Sequence, residues 1–199
     1  KKIKSIIKQK HSISKVKIGH AGTLDPLATG LLIICTGKFT KRISEIQEQK
    51  KTYVGEIILG KTTPSYDLET EFDAYFPTQH INQEMVIAAS KSFIGKIDQI
   101  PPLYSALKVK GERLYQKARR GEKVKISSRK VEISSFILTD ISLPKIQFKI
   151  VCSKGTYIRS IAYDFGKKID SGAYLSSLTR TKIGEHILSN SYEINDILN

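Results

Sequence analysis

In several segments of the chain, apolar residues recur at every second position, a spacing that predicts β-strands. The clearest case is the run of Ile146, Phe148, Ile150 and Cys152, which alternate with polar residues and would share one face of a strand. Similar alternation, or a short buried apolar run, predicts strands over Leu31–Thr36, Thr52–Leu59, Val131–Ile141, Ile146–Ser153 and Leu175–Ile183.

Helices are predicted where apolar residues recur three and four positions apart. Ile3, Ile6 and Ile7 have this spacing near the start of the chain. Further helices are predicted over Lys38–Gln47, Ile81–Ile94, Arg113–Arg120 and Gly155–Lys168. Helices interspersed with mostly hairpin-linked strands indicate an α+β fold whose mixed, largely antiparallel β-sheet core is flanked by helices.

The chain has 199 residues and a formal net charge of +14, which is concentrated in two zones. Residues 1–51 contain twelve Lys and Arg against three acidic residues, and residues 91–130 contain the same numbers. Residues 61–90, between them, are acidic. This pattern favours a polyanionic partner such as nucleic acid. The alternative is a generally basic protein whose charge only maintains solubility.

Composition also narrows the possible chemistry and location. The two cysteines, Cys35 and Cys152, lie far apart in apolar runs, which predicts two buried thiols and no zinc site. The sequence contains no signal peptide and no apolar run long enough to span a bilayer. We therefore expect a protein of the reducing cytoplasm, with neither a membrane nor a metal as partner.

The loop over residues 19–30, GHAGTLDPLATG, is the first candidate for chemistry. Its three glycines and one proline exclude a regular helix or a central strand, and an apolar run follows at once. Asp25 is therefore presented on a shaped loop next to a buried element, as catalytic groups often are. The alternative is a structural aspartate that caps the turn before Pro26.

The run GHAGTLDPLATGLL closely resembles the catalytic motif G-H-x-G-x-L-D-P-x-A-x-G of the TruB family of tRNA pseudouridine-55 synthases. The resemblance covers nearly the whole chain, to about residue 190. It implies a pseudouridine synthase fold with Asp25 as the nucleophile. It also implies that His20 helps to hold the tRNA T-loop open once the target base has left it.

Two further segments resemble parts of the family that contact the substrate. KTYVGEIILG is similar to the segment whose tyrosine stacks on the target uracil, which implies that role for Tyr53, although packing is the usual role of a tyrosine that opens a strand. TTPSYD resembles the family segment T-x-T-x-D and implies that Asp67 contacts the substrate or supports the site. The central residues of TTPSYD depart from the family pattern, so Asp67 could also be an ordinary loop acid.

The segment CSKGTYIRS leaves a predicted strand through Gly155 and enters a helix. A cation at Arg159 could pair with Asp25 and keep the carboxylate ionised. Its resemblance to the family implies this pair and gives Tyr157 a part in moving the proton from uracil C5. If the chain stays extended here, Tyr157 and Arg159 point to the same side. The alternatives are core packing for Tyr157 and a surface ion pair for Arg159.

Two last segments complete the predicted site. LTRTKIG resembles the closing element of the family, whose apolar residue lines the pocket, and implies this place for Leu178. QIPPLYSALKVKG also closely resembles a segment of the family. Five cations in and after this segment are predicted to contact RNA phosphates. The alternative is that they form a solvated surface with no partner. These cations are Lys108, Lys110, Arg113, Arg119 and Arg120.

The resemblance implies an isomerase that converts the T-loop uridine at tRNA position 55 to pseudouridine, with the base flipped out of the RNA. The partner is the T-arm of tRNA, no cofactor or metal is required, and the protein is expected to be a monomer. Two alternatives are a catalytic subunit of a guide-RNA-dependent pseudouridine synthase and a binding-only RNA module. A glycosidase fits poorly, because no second carboxylate pairs convincingly with Asp25.

The resemblance also predicts how the chain is divided. Residues 1–190 are expected to form the catalytic domain, without the opening strand and the K-P-x-G-x-T-S segment that family members normally carry. Residues 191–199 are expected to begin a C-terminal RNA-binding region that is truncated or absent.

Overall fold

An antiparallel sheet forms the centre of the computed structural model, which describes residues 2–109 and 111–198. The side chains of Lys145–Cys152 alternate between exposed and buried over most of this strand, as the period-two pattern of the sequence predicts. In chain order the strands are β1 (Ile18–His20), β2 (Thr29–Gly30), β3 (Ile34–Thr36), β4 (Lys51–Leu59), β5 (Lys61–Thr62), β6 (Ala74–Tyr75), β7 (Gly95–Gln99), β8 (Lys108–Val109), β9 (Glu112–Arg113), β10 (Arg129–Ser142), β11 (Lys145–Cys152), β12 (Ala173–Ile183) and β13 (His186–Ile187).

The helices are short and lie between these strands. In chain order they are α1 (Lys2–Lys10), α2 (Ile43–Glu48), α3 (Gln83–Lys91), α4 (Leu114–Arg119), α5 (Ile158–Lys168) and α6 (Ile194–Leu198), with 3-10 helices at Gly37–Arg42 and Leu188–Asn190. The Asn82 side chain caps the start of α3 by accepting a hydrogen bond from the Met85 amide. Helix α6 contacts α1, so the two ends of the described chain meet.

Within the described residues, the main sheet has seven strands, six of them in the order β13-β12-β4-β11-β10-β7 with antiparallel neighbours. The seventh, β2, pairs in parallel with β12. The remaining strands form two-stranded ladders, β1 with β3, β5 with β6 and β8 with β9. The mixed, largely antiparallel sheet flanked by helices confirms the predicted fold class.

Helices α3 and α5 cover one face of the main sheet and bury the principal core. Ile146, Phe148 and Ile150 of β11 all point into this core, as their alternation predicts. Phe165 of α5 packs there with its ring centroid 6.1 Å from that of Phe93. Because α5 is fixed to the sheet along this face, the residues at its N-terminus have a defined position relative to the ends of β4 and β12.

A second, smaller core lies under the β1–β3 ladder. It contains Leu31, Cys35, Ile46 and Ile183, so it joins the segment after the Asp25 loop to α2 and to the end of β12. Cys35 and Cys152 are both buried free thiols, as predicted. The Asp25 loop is thereby placed between two packed regions of the protein.

Three features differ from the sequence predictions. The segment predicted as one helix over Lys38–Gln47 is a 3-10 helix followed by α2. Strand β7 follows α3 and was not predicted, because its sequence GKIDQ is mostly polar. The chain is extended at Tyr157 but already helical at Ile158, so the expectation that Tyr157 and Arg159 lie on one extended segment is wrong.

Candidate active site

The Asp25 loop is shaped by a turn and by pairing with β12. The Asp25 carbonyl accepts a hydrogen bond from the Ala28 amide at 3.0 Å, which forms a turn with Pro26 in its second position. Gly30 has φ +101°, and a Cβ there would lie 2.3 Å from the Arg180 carbonyl oxygen. The close parallel pairing of β2 with β12 therefore requires glycine at this position.

The Asp25 carboxylate is held by a two-pronged ion pair with Arg159. Arg159 Nε donates to Oδ2 at 2.9 Å and Nη2 donates to Oδ1 at 2.8 Å. The Arg159 side chain is only 2% exposed, whereas that of Asp25 is 34% exposed. Among the hydrogen bonds of the described residues, the carboxylate accepts only from Arg159, so it does not cap the turn. One side of Asp25 stays open to a ligand while the other is fixed in orientation.

Arg159 also contacts the loop that carries Asp67. Its Nη1 donates to the Ser65 carbonyl at 3.0 Å, and its Nε lies 3.5 Å from Asp67 Oδ2. Tyr66, between these two residues, has φ +65° and stacks on Tyr163 of α5 with ring centroids 4.0 Å apart. The buried guanidinium is therefore shared by two carboxylates on separate loops, and the stacked tyrosines hold the second loop against α5.

A cavity of about 440 Å³ opens beside Asp25. Its lining includes Tyr53 from β4, Tyr157 from the start of α5 and Leu178 from β12. Asp25 and Leu178 also line a small adjoining cavity, together with Asp67 and Arg159. The larger cavity is of the size that accommodates a small molecule or one nucleotide. Asp25, Asp67, Tyr53, Tyr157, Arg159 and Leu178, all predicted site residues, thus meet at one place.

The two tyrosines of the cavity have different surroundings. Burial raises the pKa of the Tyr53 phenol above its ordinary value, so this ring is neutral at physiological pH. Tyr157 is fixed through its main chain, because the Gln99 side chain accepts from the Tyr157 amide at 2.8 Å and donates to its carbonyl at 3.0 Å. The guanidinium of Arg129 lies 5.3 Å from the centre of the Tyr157 ring. Tyr53 thus packs against the principal core, and the main chain of Tyr157 has a defined position.

Arg180 is a site residue that sequence reasoning did not identify. It is 1% exposed, and it donates to the carbonyls of Leu31 at 2.8 Å, Gly22 at 3.0 Å and Thr23 at 3.3 Å. These carbonyls flank Asp25 on both sides. The alternation of side chains along a strand could have identified Arg180. It follows Leu178 by two positions, so both side chains lie on the same, inward face.

Lys51 is a second residue of the cavity wall that was not singled out. It is buried, and its ammonium donates to the carbonyls of Gln47 and Gln49 at the end of α2. Burial lowers the pKa of the Lys51 ammonium, and the nearby Arg180 guanidinium lowers it further. The cavity lining thus includes the basic residues Lys51, Lys154 and Arg180 as well as Asp25.

The remaining predicted residues lie around the cavity or outside the described residues. His20 is exposed at the end of β1, just before the Asp25 loop. Lys108, Arg113 and Arg119 are exposed on the β8–β9 ladder and α4, and Arg120 follows directly. Arg120 is paired with Glu112 and Glu122, and Arg119 lies 3.8 Å from Glu69. Lys110 lies outside the described residues.

The described residues contain neither a cluster of metal ligands nor a long apolar helix. Over 2–109 and 111–198, no cluster of three or more His, Cys, Asp or Glu residues has an arrangement that could hold a metal ion. No helix in the same ranges is both long and apolar enough to cross a bilayer.

Solved structures with a similar fold include two complexes. The fold matches a crystal structure of a Cbf5–Nop10–Gar1 complex with a TM-score of 0.64 and 26% identity over 92% of the present chain. A crystal structure of the archaeal box H/ACA sRNP Nop10–Cbf5 complex matches in fold with a TM-score of 0.65 at 21% identity. The present chain spans 44% and 48% of those two solved chains.

Sequence comparison is more specific. The protein is 61% identical to the tRNA pseudouridine synthase B of Flavobacterium johnsoniae, over 90% of this chain and 79% of that relative. It is 51% identical to the enzyme of the same name from Parabacteroides distasonis, over 96% of this chain and 83% of that relative. Residues 6–158 match the family model for the N-terminal domain of TruB family pseudouridylate synthases. The chain therefore belongs to the TruB family of pseudouridylate synthases.

Proposed function

We propose that this protein converts uridine to pseudouridine at position 55 in the T-loop of tRNA, with Asp25 as the nucleophile. The observation that carries the proposal is the carboxylate of Asp25, which is oriented by the buried Arg159 and borders a nucleotide-sized cavity. A carboxylate fixed on one edge and accessible on the other suits nucleophilic attack on a bound group.

The reaction is an isomerisation in which no atom is added. The bond between uracil N1 and sugar C1′ breaks, the base turns, and a bond between C5 and C1′ forms. The C5 proton leaves and N1 gains a proton. Asp25 reacts with C1′ of the sugar or C6 of the base, or removes a proton from C2′, and each route requires an ionised carboxylate. Its two-pronged pair with Arg159 fixes the direction in which the carboxylate faces the cavity.

The other predicted residues have roles that agree with their positions. Tyr53 stacks on the flipped uracil, which every base permits because each has a π-face. Leu178 provides apolar contact to the base, and Tyr157 takes part in removing the C5 proton. Asp67 supports Arg159 near Nε, the atom that also donates to Asp25, and His20 helps to hold the T-loop open. A base within folded RNA cannot reach Asp25, so it must flip out.

We also propose that tRNA is recognised through its T-arm without a guide RNA. The relatives named tRNA pseudouridine synthase B are up to 61% identical, whereas identity to the Cbf5 complex is 26%. In the same proposal the protein is a cytoplasmic monomer that needs no cofactor. Residues 1–190 form its catalytic unit.

The test is to incubate the full-length protein with an unmodified tRNA transcript and no other RNA, and to map pseudouridine by chemical labelling. Modification at uridine 55 alone is the expected result. A transcript with cytidine at position 55 is the matched substrate control and should remain unmodified. Modification that required an added guide RNA would favour the guide-dependent alternative, and RNA binding with no modification would favour a binding module.

A further inference from the structure

An exposed aromatic side chain stands in a group of lysines beside the candidate active site. Phe39 is 62% exposed on the 3-10 helix Gly37–Arg42. Lys38 and Lys41 lie on the same short helix and are exposed, as are Lys15 and Lys17 just before β1. We name Lys15, Lys17, Lys38, Phe39 and Lys41 the basic ridge.

The parts of the ridge are joined by the main chain. The Gly37 amide donates to the Lys17 carbonyl at 2.8 Å, next to the pairing of Ile18 with Thr36 in the β1–β3 ladder. Residues 15–17 and the 3-10 helix are therefore adjacent, although about twenty residues separate them in sequence. The lysines and Phe39 come together because β1 and β3 pair.

The ridge is also close to the site that takes the flipped base. Lys17 immediately precedes strand β1, which ends at His20 and leads directly into the loop that carries Asp25. At a rise of about 3.3 Å per residue, the ridge begins about 10 Å from His20. An RNA strand that leaves the cavity past His20 can follow β1 to the ridge.

The charges of the ridge differ from those of the α4 region. In the described residues, none of the ridge lysines lies within ion-pair distance of an acidic side chain. Lys117 and Arg120 of the α4 region, in contrast, are each paired with both Glu112 and Glu122. An approaching phosphate would have to compete with those carboxylates, whereas the ridge ammonium groups are available to it.

We infer that the basic ridge is a second RNA-contacting surface, on which Phe39 stacks with an unpaired base of the substrate tRNA while the lysines bind the neighbouring phosphates. An exposed aromatic ring among unpaired cations is the combination that binds single-stranded nucleic acid without strict sequence preference. The inference rests on the proposed function for the identity of the RNA, but the contact is distinct from the cavity that holds the reacting uridine.

The experiment measures the affinity of the full-length protein for unmodified tRNA at several salt concentrations. Phe39→Ala should weaken binding about tenfold, as removal of one stacking aromatic typically does, with an unchanged salt slope. The double variant Lys38→Ala/Lys41→Ala should reduce the slope of log K against log salt by about 1.4 to 1.8, corresponding to two lost phosphate contacts. In both variants, single-turnover rates at saturating enzyme should stay within about twofold of the parent, because neither change alters the cavity.

Matched controls separate the ridge from general surface effects. Tyr75 is 71% exposed, so Tyr75→Ala removes a comparable exposed ring elsewhere. Lys91→Ala/Lys96→Ala removes two exposed lysines, from α3 and β7, with the same change in net charge. Both controls should bind tRNA like the parent. Phe39→Trp should retain the parent affinity, and RNA should quench its fluorescence.

Several results would overturn the inference. One is a Phe39→Ala variant that binds tRNA as tightly as the parent. Another is an equal loss of tRNA affinity in the control variants. A third is a Phe39→Trp variant whose fluorescence is not quenched when tRNA binds. A change in self-association of Phe39→Ala with unchanged tRNA affinity would instead make the ridge a contact between protein copies. The inference and the proposed function can fail separately, because the first is read from affinity and the second from pseudouridine formation by the parent protein.

Discussion

Two arginines are almost completely buried next to the Asp25 loop, and they differ in what they bind. Arg159, from α5, donates to the Asp25 carboxylate and lies close to that of Asp67. Arg180, from β12, donates to three main-chain carbonyls of the loop, and no acidic side chain among the described residues is within ion-pair distance of it. One arginine orients a side chain, and the other fixes the path of the main chain.

The difference shows how the loop can be both irregular and well defined. A loop with several glycines has little intrinsic preference for one conformation. Arg180 supplies that conformation by donating hydrogen bonds to three carbonyls in and next to the loop. Arg159 then sets the direction of the carboxylate within the fixed loop. The two roles predict that variants of these arginines affect stability and turnover in different proportions.

The largest effect is expected from removal of the group that Arg159 orients. Asp25→Asn keeps the shape of the side chain but loses the nucleophile, so turnover should fall about 10⁵-fold or more. Affinity for tRNA should be nearly unchanged. Single-turnover kinetics and a binding titration on the same preparation test both statements. Retention of a tenth of the parent rate would contradict the assignment of Asp25.

Arg159→Lys should have the next largest effect. One ammonium cannot reproduce the two parallel hydrogen bonds to Asp25 and also reach the Ser65 carbonyl. We expect the single-turnover rate to fall about 100- to 1000-fold, with tRNA affinity changed far less. The matched control is Arg42→Lys, since Arg42 makes a similar two-pronged pair with Glu45 at the surface. The control should be neutral, because exposed ion pairs contribute little. Equal rates for the two variants would show that Asp25 does not depend on a forked cation.

Compared with Arg159→Lys, Arg180→Lys should lower the single-turnover rate less and the thermal stability more. A lysine can satisfy one or two of the three carbonyls, and a buried carbonyl left without a partner costs about 1–3 kcal/mol. We expect a rate about 10- to 100-fold lower and a melting temperature several degrees lower.

Gly30→Ala tests the same role without changing Arg180. The added Cβ would lie 2.3 Å from the Arg180 carbonyl oxygen, so β2 must move away from β12. Gly30→Ala should lower the rate and the melting temperature as Arg180→Lys does. In the double variant, the loss of stability should be smaller than the sum of the two single losses, because both changes release the same loop. Full additivity would assign the two residues independent roles.

The smallest effect is expected from the exposed arginines, Arg119 and Arg120. Their double replacement by Ala should weaken tRNA binding less than about threefold, because Arg120 is already paired with Glu112 and Glu122. Hydrogen bonds from Arg120 and Lys117 lower the pKa of Glu112 to about 2, so these pairs persist at neutral pH. Glu112→Gln/Glu122→Gln should release the cations and steepen the salt dependence of binding. If the Arg119/Arg120 variant instead flattened that dependence strongly, the α4 region would be a principal phosphate contact.

Much of this architecture is readable from the sequence, because local patterns determine it. Period-two patterns located β4, β11 and β12, and the family resemblance of the segment CSKGTYIRS implied the pairing of Arg159 with Asp25. What escaped prediction depends on distant neighbours. Nothing local to Arg180 indicates that its partners are carbonyls of a loop near residue 25. Likewise, Glu112 and Glu122 meet around Arg120 only because the β8–β9 ladder and α4 fold onto each other.

The spacing of the Asp25–Arg159 pair along the chain bears on when the enzyme acquires activity during its synthesis. The two residues are separated by 134 positions, and the carbonyls bound by Arg180 are still farther from it in sequence. A ribosome must therefore deliver β12 before the loop made near the beginning of translation is complete. Contacts of such high sequence separation form late in folding. Nascent or cleaved chains that lack β12 would carry Asp25 without its catalytic geometry, and loss of activity on heating should coincide with unfolding of the central sheet.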